Sequence, residues 1–320
     1  MSKNAKTWLI IAACLVLIGC IVFIGVMTLL NWDFRKLGTV KYETNTYEIT
    51  NDFEKIALTT KTADVVFLPS EDGKCKIVCY EESKVKHDVK VESDTLVINV
   101  ADSRKWYNYI NFSFDTPKIT VYLPMDKLTS LNVNNSTGDV DIPSGFSFEN
   151  IGISASTGAV NCFASASGNI RIELSTGAIN LTGLGAGSLD LKTSTGRIEL
   201  KMIECNGDVS ITTGTGKTKI NALDCKNLYS TGSTGDIKLI GVIATDKFSI
   251  KRNTGDVEFE RCDADEIYVK TSTGDIEGSL LSDKVFITKT STGEIEVPHT
   301  TKGGKCELTT STGDIEITIR

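Results

Sequence analysis

Lys270-Thr271-Ser272-Thr273-Gly274-Asp275-Ile276-Glu277 decides the fold, because the chain returns to this phrase again and again. A Thr-Gly pair ends at Gly138, Gly158, Gly177, Gly196, Gly216, Gly235, Gly255, Gly274, Gly293 and Gly313, ten times at spacings of 19 or 20 residues. Apolar residues keep fixed places around each glycine. Two lie seven and five positions before it, as Ile267 and Val269 do for Gly274. Two lie two and four positions after it, as Ile198 and Leu200 do for Gly196. A spacing of two within each arm marks a strand with one buried face. Each unit therefore reads as strand, turn, strand and a loop of about eight residues to the next unit.

A fixed period of about 20 residues is the signature of a solenoid, in which each coil buries its apolar edge only against its neighbours. A string of antiparallel hairpins would not require threonine before the glycine in every unit. The predicted fold is all-β: a parallel β-solenoid, like a single-stranded β-helix, of about ten coils of 19–20 residues, preceded by one N-terminal transmembrane helix. Stacking places the ten threonines in a row at about 4.8 Å and makes a rod about 50 Å long. Glycine at the corner supplies positive φ or close approach between coils.

Working outward, residues 131–320 are the solenoid, and residues 31–130 a β cap that covers its first coil. The cap contains one worn repeat: Lys61-Thr62-Ala63-Asp64 stands for the turn, with Ile56, Leu58, Val65 and Phe67 at the apolar positions. Alternation predicts further strands at 75–80, 89–91, 96–100 and 119–123, with Ser93-Asp94 as a hairpin turn. Trp106, Tyr107, Tyr109, Phe112 and Phe114 form an aromatic cluster read as cap packing. At the other end the last strand stops at Arg320 without a cap, an open edge available for self-association or screened by Glu307, Asp314, Glu316 and Arg320.

Residues 8–30 carry no charge. As a helix they are about 35 Å long, enough to span a bilayer once. Leu17-Ile18-Gly19-Cys20, after Lys3 and Lys6, resembles a lipoprotein signal in which Cys20 is lipidated, but the apolar run continues to Leu30. Both readings tether the chain to a membrane. The short tail, residues 1–7, is placed in the cytoplasm and the solenoid outside the cell. Over 320 residues the net charge is −7, which argues against nucleic acid as a partner.

The repeated Ser-Thr-Gly-Asp-(Ile/Val) units, the Thr-Ala-Asp-Val turn at 62–65, Lys105-Trp106 and Ile119-Thr120-Val121-Tyr122-Leu123-Pro124 resemble the bacterial β-strand-repeat proteins labelled "putative adhesin", which include LiaG-like proteins of Gram-positive bacteria. The resemblance spans nearly all of 53–320. It implies a membrane-tethered, coil-like β domain at the cell envelope, in some relatives beside membrane-stress signalling systems, with no catalytic residues to carry over. Two departures stand out. Thr218 replaces the usual Ile or Val after the turn, and Val285 and Ile287 sit one residue early before Gly293.

Chemistry-bearing residues are few. The two histidines, His87 and His299, lie outside any motif, and no nucleophile elbow, phosphate loop or zinc spacing appears. No catalytic or cofactor-binding residue is assigned. The specific candidate is an acidic corner formed by Asp256, Glu258, Asp275, Glu277, Glu294, Glu296, Asp314 and Glu316, stacked in the last four coils. Like charges about 5 Å apart repel. Lys251, Lys270 and Lys289 can cross the turn to pair with them, or calcium can bridge adjacent coils. Nine cysteines raise a separate question outside a cell, where disulfides form. A Cys205–Cys225 bridge, 20 residues apart, is one answer. The Thr-x-Thr pairs (193 and 195, 271 and 273, 310 and 312) share the core's parity in their first member, which argues against an outward ice-binding face. The expected function is a non-enzymatic envelope protein presenting a rigid rod to a protein or a cell-wall glycan. The alternatives are a sensor or accessory of envelope-stress signalling, and then a carbohydrate-active β-helix enzyme.

Overall fold

The computed structural model describes residues 3–34, 40–103, 115–125 and 128–320. The aromatic cluster at 106–114 lies outside the described residues. Helix α1, Lys3–Leu29, carries a segment from Ala5 to Leu29 long and apolar enough to cross a membrane.

The β region begins with β1 (Tyr42–Ile49), β2 (Lys55–Thr60), β3 (Asp64–Pro69), β4 (Cys75–Glu82), β5 (Val85–Glu92), β6 (Thr95–Asp102), β7 (Lys118–Leu123), β8 (Leu128–Thr137) and β9 (Val140–Ile142). The coils beyond are named here by their corner glycine. β2 and β3 are the two arms of the worn coil at Ala63. They pair in parallel with β8 and β9, the arms of the Gly138 coil. On their other side β2 takes β6 and β3 takes β7, still parallel. Antiparallel strands then finish the cap, β5 on β6 and β4 then β1 beyond β7. Ser93 and Asp94 both have positive φ, 45° and 78°, as a tight hairpin turn requires.

From the Gly138 coil onward, like positions stack. On the arm before the glycine the buried column runs Ile151, Ile170, Leu189, Val209, Leu228, Phe248 and Ile267, each paired with the next. On the arm after it, Val140, Val160, Ile179, Ile198, Thr218, Ile237, Val257 and Ile276 do the same. All ten threonines before the glycines lie in one parallel row. Their side chains face outward. The row's bonds run through the backbone, as where the Gly196 N–H donates to the Thr215 carbonyl at 2.9 Å. The corner needs glycine twice over: Gly196 has φ 150°, and a Cβ there would sit 1.8 Å from the Gly177 carbonyl oxygen.

The segment expected as a loop is a third side of the coil. In the five coils from Gly177 to Gly255 the residue six after the glycine takes left-handed φ: Gly183, Met202, Ala222, Gly241 and Arg261, between 52° and 65°. The chain bends there, and the residues seven and nine after the glycine turn inward, as Leu184 and Ala186 or Ile203 and Cys205 do. These short sides also pair coil to coil, Leu184 with Ile203 and Ile203 with Leu223.

The last two coils stack in reverse order. Strand Glu266–Lys270 of the Gly274 coil pairs with Gly304–Thr309 of the Gly313 coil, and that strand pairs with Lys284–Lys289 of the Gly293 coil. The other arms agree, with Ile276–Leu280 next to Ile315–Ile319 and Ile295–Glu296 outermost. The expectation of an open edge at the C-terminal strand is therefore corrected: the terminal strand is interior, and the Gly293 coil is the end of the stack. Its register is intact. Phe286 and Thr288 hold the inward positions over Cys306 and Leu308, while Val285 and Ile287 face out.

Candidate functional site

The coil geometry explains aspartate after glycine. Its carboxylate accepts the backbone N–H of the same position in the neighbouring coil. Asp236 accepts from Asp256 at 3.3 Å, Asp256 from Asp275 at 2.9 Å, Asp275 from Asp314 at 2.8 Å, and Asp314 from Glu294 at 2.7 Å. Asp64 and Asp139 begin the same ladder in the first coils. Inside the corner a second ladder runs from the residue three before the glycine. Thr193, Thr271, Thr290 and Thr310 donate their hydroxyls to corner-glycine carbonyls of adjacent coils at 3.0–3.3 Å, and Asn135 donates its side-chain amide to the Ala63 carbonyl at 3.1 Å. The corner is thus held by side-chain bonds on both faces, which answers backbone groups that coil stacking alone leaves open.

The eight carboxylates expected on this corner do come together. Glu258, Glu277, Glu316 and Glu296 stack in that order, beside Asp256, Asp275, Asp314 and Glu294. Glu277 lies inside the row. Burial, and then the charges of Glu258, Asp275, Asp256 and Glu316, hold its carboxyl above the usual range. The counterions differ from those expected. Glu258 pairs with Lys238 and Asp236 with Lys217 at 2.9 Å. Lys251 instead lies 5.8 Å from the Tyr268 ring centre. In the ladder Asp236, Asp256, Asp275 and Asp314 each accept a backbone N–H through one oxygen.

Thr218 belongs to a polar patch in the core. It meets Thr213 Oγ1 at 3.4 Å and accepts from Arg252, whose guanidinium also donates to Ser230 Oγ at 3.0 Å. Arg252 is 3% exposed. Gly232 makes room for it, since a Cβ there would lie 2.4 Å from Arg252 Nη1.

The cysteines outside α1 are all buried and free, so the Cys205–Cys225 bridge is not formed. Those two sit on the third side, in adjacent coils. Burial pushes the thiols of Cys75, Cys79, Cys162, Cys225 and Cys306 up to about 12, which favours their protonated form where no metal is bound. His87 is buried and His299 exposed, at opposite ends of the stack. At the cap a cleft of about 1020 Å³ opens between residues 48–53 and 68–76, floored by Tyr122 and Pro124, with no histidine in its lining. At the far end the Gly293 coil shows Val285, Ile287 and Ile295 at 37%, 50% and 44% exposure. Among the described residues no strand pairs with its outer edge.

These features define a parallel β-solenoid with Thr-Gly corners, an antiparallel cap at one end, an open coil at the other and one apolar helix before them. The chain belongs to the Toastrack DUF4097 family, whose model matches residues 53–215 and 205–320. Among solved structures it is similar to a "putative adhesin" of Parabacteroides distasonis, at 14% identity and TM-score 0.52, over 75% of this chain and 98% of that one. It is also similar to a "putative adhesin" of Bacteroides fragilis, at 17% identity and TM-score 0.40, over 87% and 97% of the two chains. No curated protein matches it.

Proposed function

We propose that this chain is a non-enzymatic, membrane-tethered protein of the cell envelope that binds a partner protein through the open Gly293 coil. The observation that carries this is the asymmetry of the rod: antiparallel strands cover one end, while at the other, among the described residues, a strand edge is unpaired beside Val285, Ile287 and Ile295. An unpaired edge flanked by apolar side chains is the surface on which a partner strand adds, through backbone bonds for affinity and side-chain contacts for specificity. The helix at the capped end puts this coil farthest from the membrane. The names of the structural neighbours agree with a surface role.

The test uses the full chain in nanodiscs, with binding measured to intact cells and to isolated cell-wall glycan. Ile287→Lys with Val285→Lys lowers cell binding at least about tenfold, the scale of losing one well-packed contact region. Unchanged binding by that variant overturns the role of the coil. Recovery of a membrane signalling protein by cross-linking, without cell or glycan binding, replaces adhesion with the accessory reading. Turnover of the glycan by the chain overturns the non-enzymatic reading.

A further inference from the structure

The cap contains a buried side-chain cluster apart from the corner ladders. Cys79 and Glu81 lie two apart on β4 and so share its inward face. His87, on β5, meets them there. The three are 0%, 1% and 4% exposed, and their sulfur, carboxylate oxygen and ring nitrogen atoms all lie within 4.8 Å of one another. Thiolate, carboxylate and imidazole are the donor types of zinc-class ions.

We propose that Cys79, Glu81 and His87 bind a divalent ion of the zinc class, with water as the fourth ligand. The charges balance, since one thiolate and one carboxylate neutralise a doubly charged ion beside a neutral imidazole, and a buried site tolerates only a balanced set. On binding, the metal–sulfur bond replaces the S–H bond of Cys79 and the proton leaves to solvent.

The surroundings are already arranged for ligation. His87 Nδ1 faces Glu81 Oε2 at 2.6 Å, and its other ring nitrogen meets Thr60 Oγ1 at 3.0 Å. Ligation through Nδ1 leaves Nε2–H to donate to Thr60, the outer-shell bond that fixes the tautomer of a metal-binding histidine. Asn45 Nδ2 donates to the second carboxylate oxygen, Glu81 Oε1, at 2.7 Å. The Tyr47 hydroxyl donates to the His87 carbonyl at 2.9 Å and anchors the strand. The ion takes the place of the Nδ1–Oε2 hydrogen bond and widens that separation to about 3.3 Å, the edge of a tetrahedron with metal–ligand bonds near 2.0 Å. A cavity of about 20 Å³ lined by Thr60, Lys61, Val85, His87 and Pro117 lies against the imidazole and has room for one water.

The experiment titrates cobalt(II) chloride into the full chain in detergent micelles after metal has been stripped from it, and reads visible and near-ultraviolet absorption. One equivalent is expected to give the intense visible bands of a tetrahedral site and a sulfur-to-cobalt charge-transfer band. Zinc chloride displaces both. Cys79→Ser removes the charge-transfer band. Cys75→Ser, on the same strand and outside the cluster, keeps it. His87→Gln retains the charge-transfer band and weakens affinity at least about tenfold. Circular dichroism confirms that each variant is folded, and if Cys79→Ser is not, the His87→Gln and Cys75→Ser results decide. A charge-transfer band that survives Cys79→Ser overturns the site. So does absence of uptake, or equal affinity in the His87→Gln variant.

Discussion

Glu294 donates its backbone N–H to the carboxylate of Asp314 at 2.7 Å, although Asp314 comes a full coil later in the chain. That bond records the reversed stacking of the last two coils. The chain leaves the Gly274 coil, skips one place to lay down the Gly293 coil, and returns to fill the gap with residues 304–319. The coil made last is therefore the keystone between two others.

Deleting residues 301–320 tests this order. In a sequential stack the deletion would remove one coil and leave its neighbours paired. Here it removes the sole strand partners, among the described residues, of Lys284–Lys289 and Ile295–Glu296. Amide exchange is expected to lose protection across 284–296 as well as in the deleted segment, while 266–270 and 276–280 stay paired on their inner side with the Gly255 coil.

The aspartate ladder makes a second prediction. Asp275 accepts from Asp314 and donates its own N–H to Asp256. Asp275→Ala removes one acceptor from an exposed corner and is expected to cost about 1 kcal/mol in denaturant unfolding. Asp275→Asn keeps an acceptor oxygen and removes one negative charge beside Glu277, so its cost is smaller. Equal losses for the two variants would show that charge, not the bond, is what the position supplies.

Most of this architecture is legible in the sequence, and the parts that are not have identifiable reasons. The strand arms are legible because Ile, Val and Leu recur at fixed offsets from each glycine. The third side is not, because its bend is made by Gly183, Met202, Ala222, Gly241 and Arg261, residues with no shared chemistry. Its inward positions hold small residues such as Ala186 and Cys205, which carry a weak periodic signal. Coil order is invisible for a different reason, since spacings of 19 and 20 between Gly274, Gly293 and Gly313 are the same whichever coil lies outside. The one trace is Val285 and Ile287, apolar on the outward parity, which the sequence presents as a slipped phase and the structure as an exposed end. Parity alone is enough to put Glu258, Glu277, Glu296 and Glu316 at one position of successive coils, where the strands pair them. The Cys79, Glu81 and His87 cluster was not, because two strands meet there at a spacing that matches no zinc motif; the only signal is Glu81 on the same inward parity as Ile77 and Cys79.

Glu277 carries a pH signature. Its folded-state carboxyl is held above the usual range by burial and by its acidic neighbours, so folding disfavours the ionised form. The penalty is absent when the group is protonated in both states, below about pH 4. It grows as pH rises through the unfolded and then the folded titration. Glu277→Gln is expected to stabilise by a few tenths of a kcal/mol at pH 7, a figure kept small by solvent screening, and to match the parent near pH 3. Paired urea melts at the two pH values measure this, and raised salt should shrink the neutral-pH difference.

Gly196→Ala tests the corner. The substitution asks an L-residue to hold φ 150° and places a methyl within bonding distance of the Gly177 carbonyl oxygen, which belongs to rigid backbone. The coil must shift, and the stack on either side with it. A loss of about 3 kcal/mol or more is expected, in the class of strained special backbone positions. Gly183→Ala, at the second bend with φ 65° and nothing within 4 Å of the added methyl, is expected to cost only about 1 kcal/mol. Thermal melts of the pair separate close approach from backbone conformation.

Arg252 is the buried charge the core tolerates at a cost. Its guanidinium meets the hydroxyls of Ser230 and Thr218 and the Lys251 carbonyl, and among the described residues it meets no carboxylate and its Nε has no partner. Burial lowers its pKa to about 10. A base whose folded value is depressed destabilises the fold wherever it is charged in both states, so the penalty holds below about pH 10 and is relieved as pH rises toward the unfolded value. Arg252→Met fills much of the same volume without the charge. It is expected to raise stability by about 1–3 kcal/mol at pH 7, as replacement of poorly compensated buried ions by apolar groups does elsewhere. The gain should appear as a higher urea midpoint at unchanged slope. A destabilised variant would mean that the hydroxyls of Ser230, Thr218 and Thr213 depend on the guanidinium more than the guanidinium depends on them. In that case Thr218→Val in the Arg252→Met background should restore the loss, because it returns the usual branched apolar residue to the position after the turn.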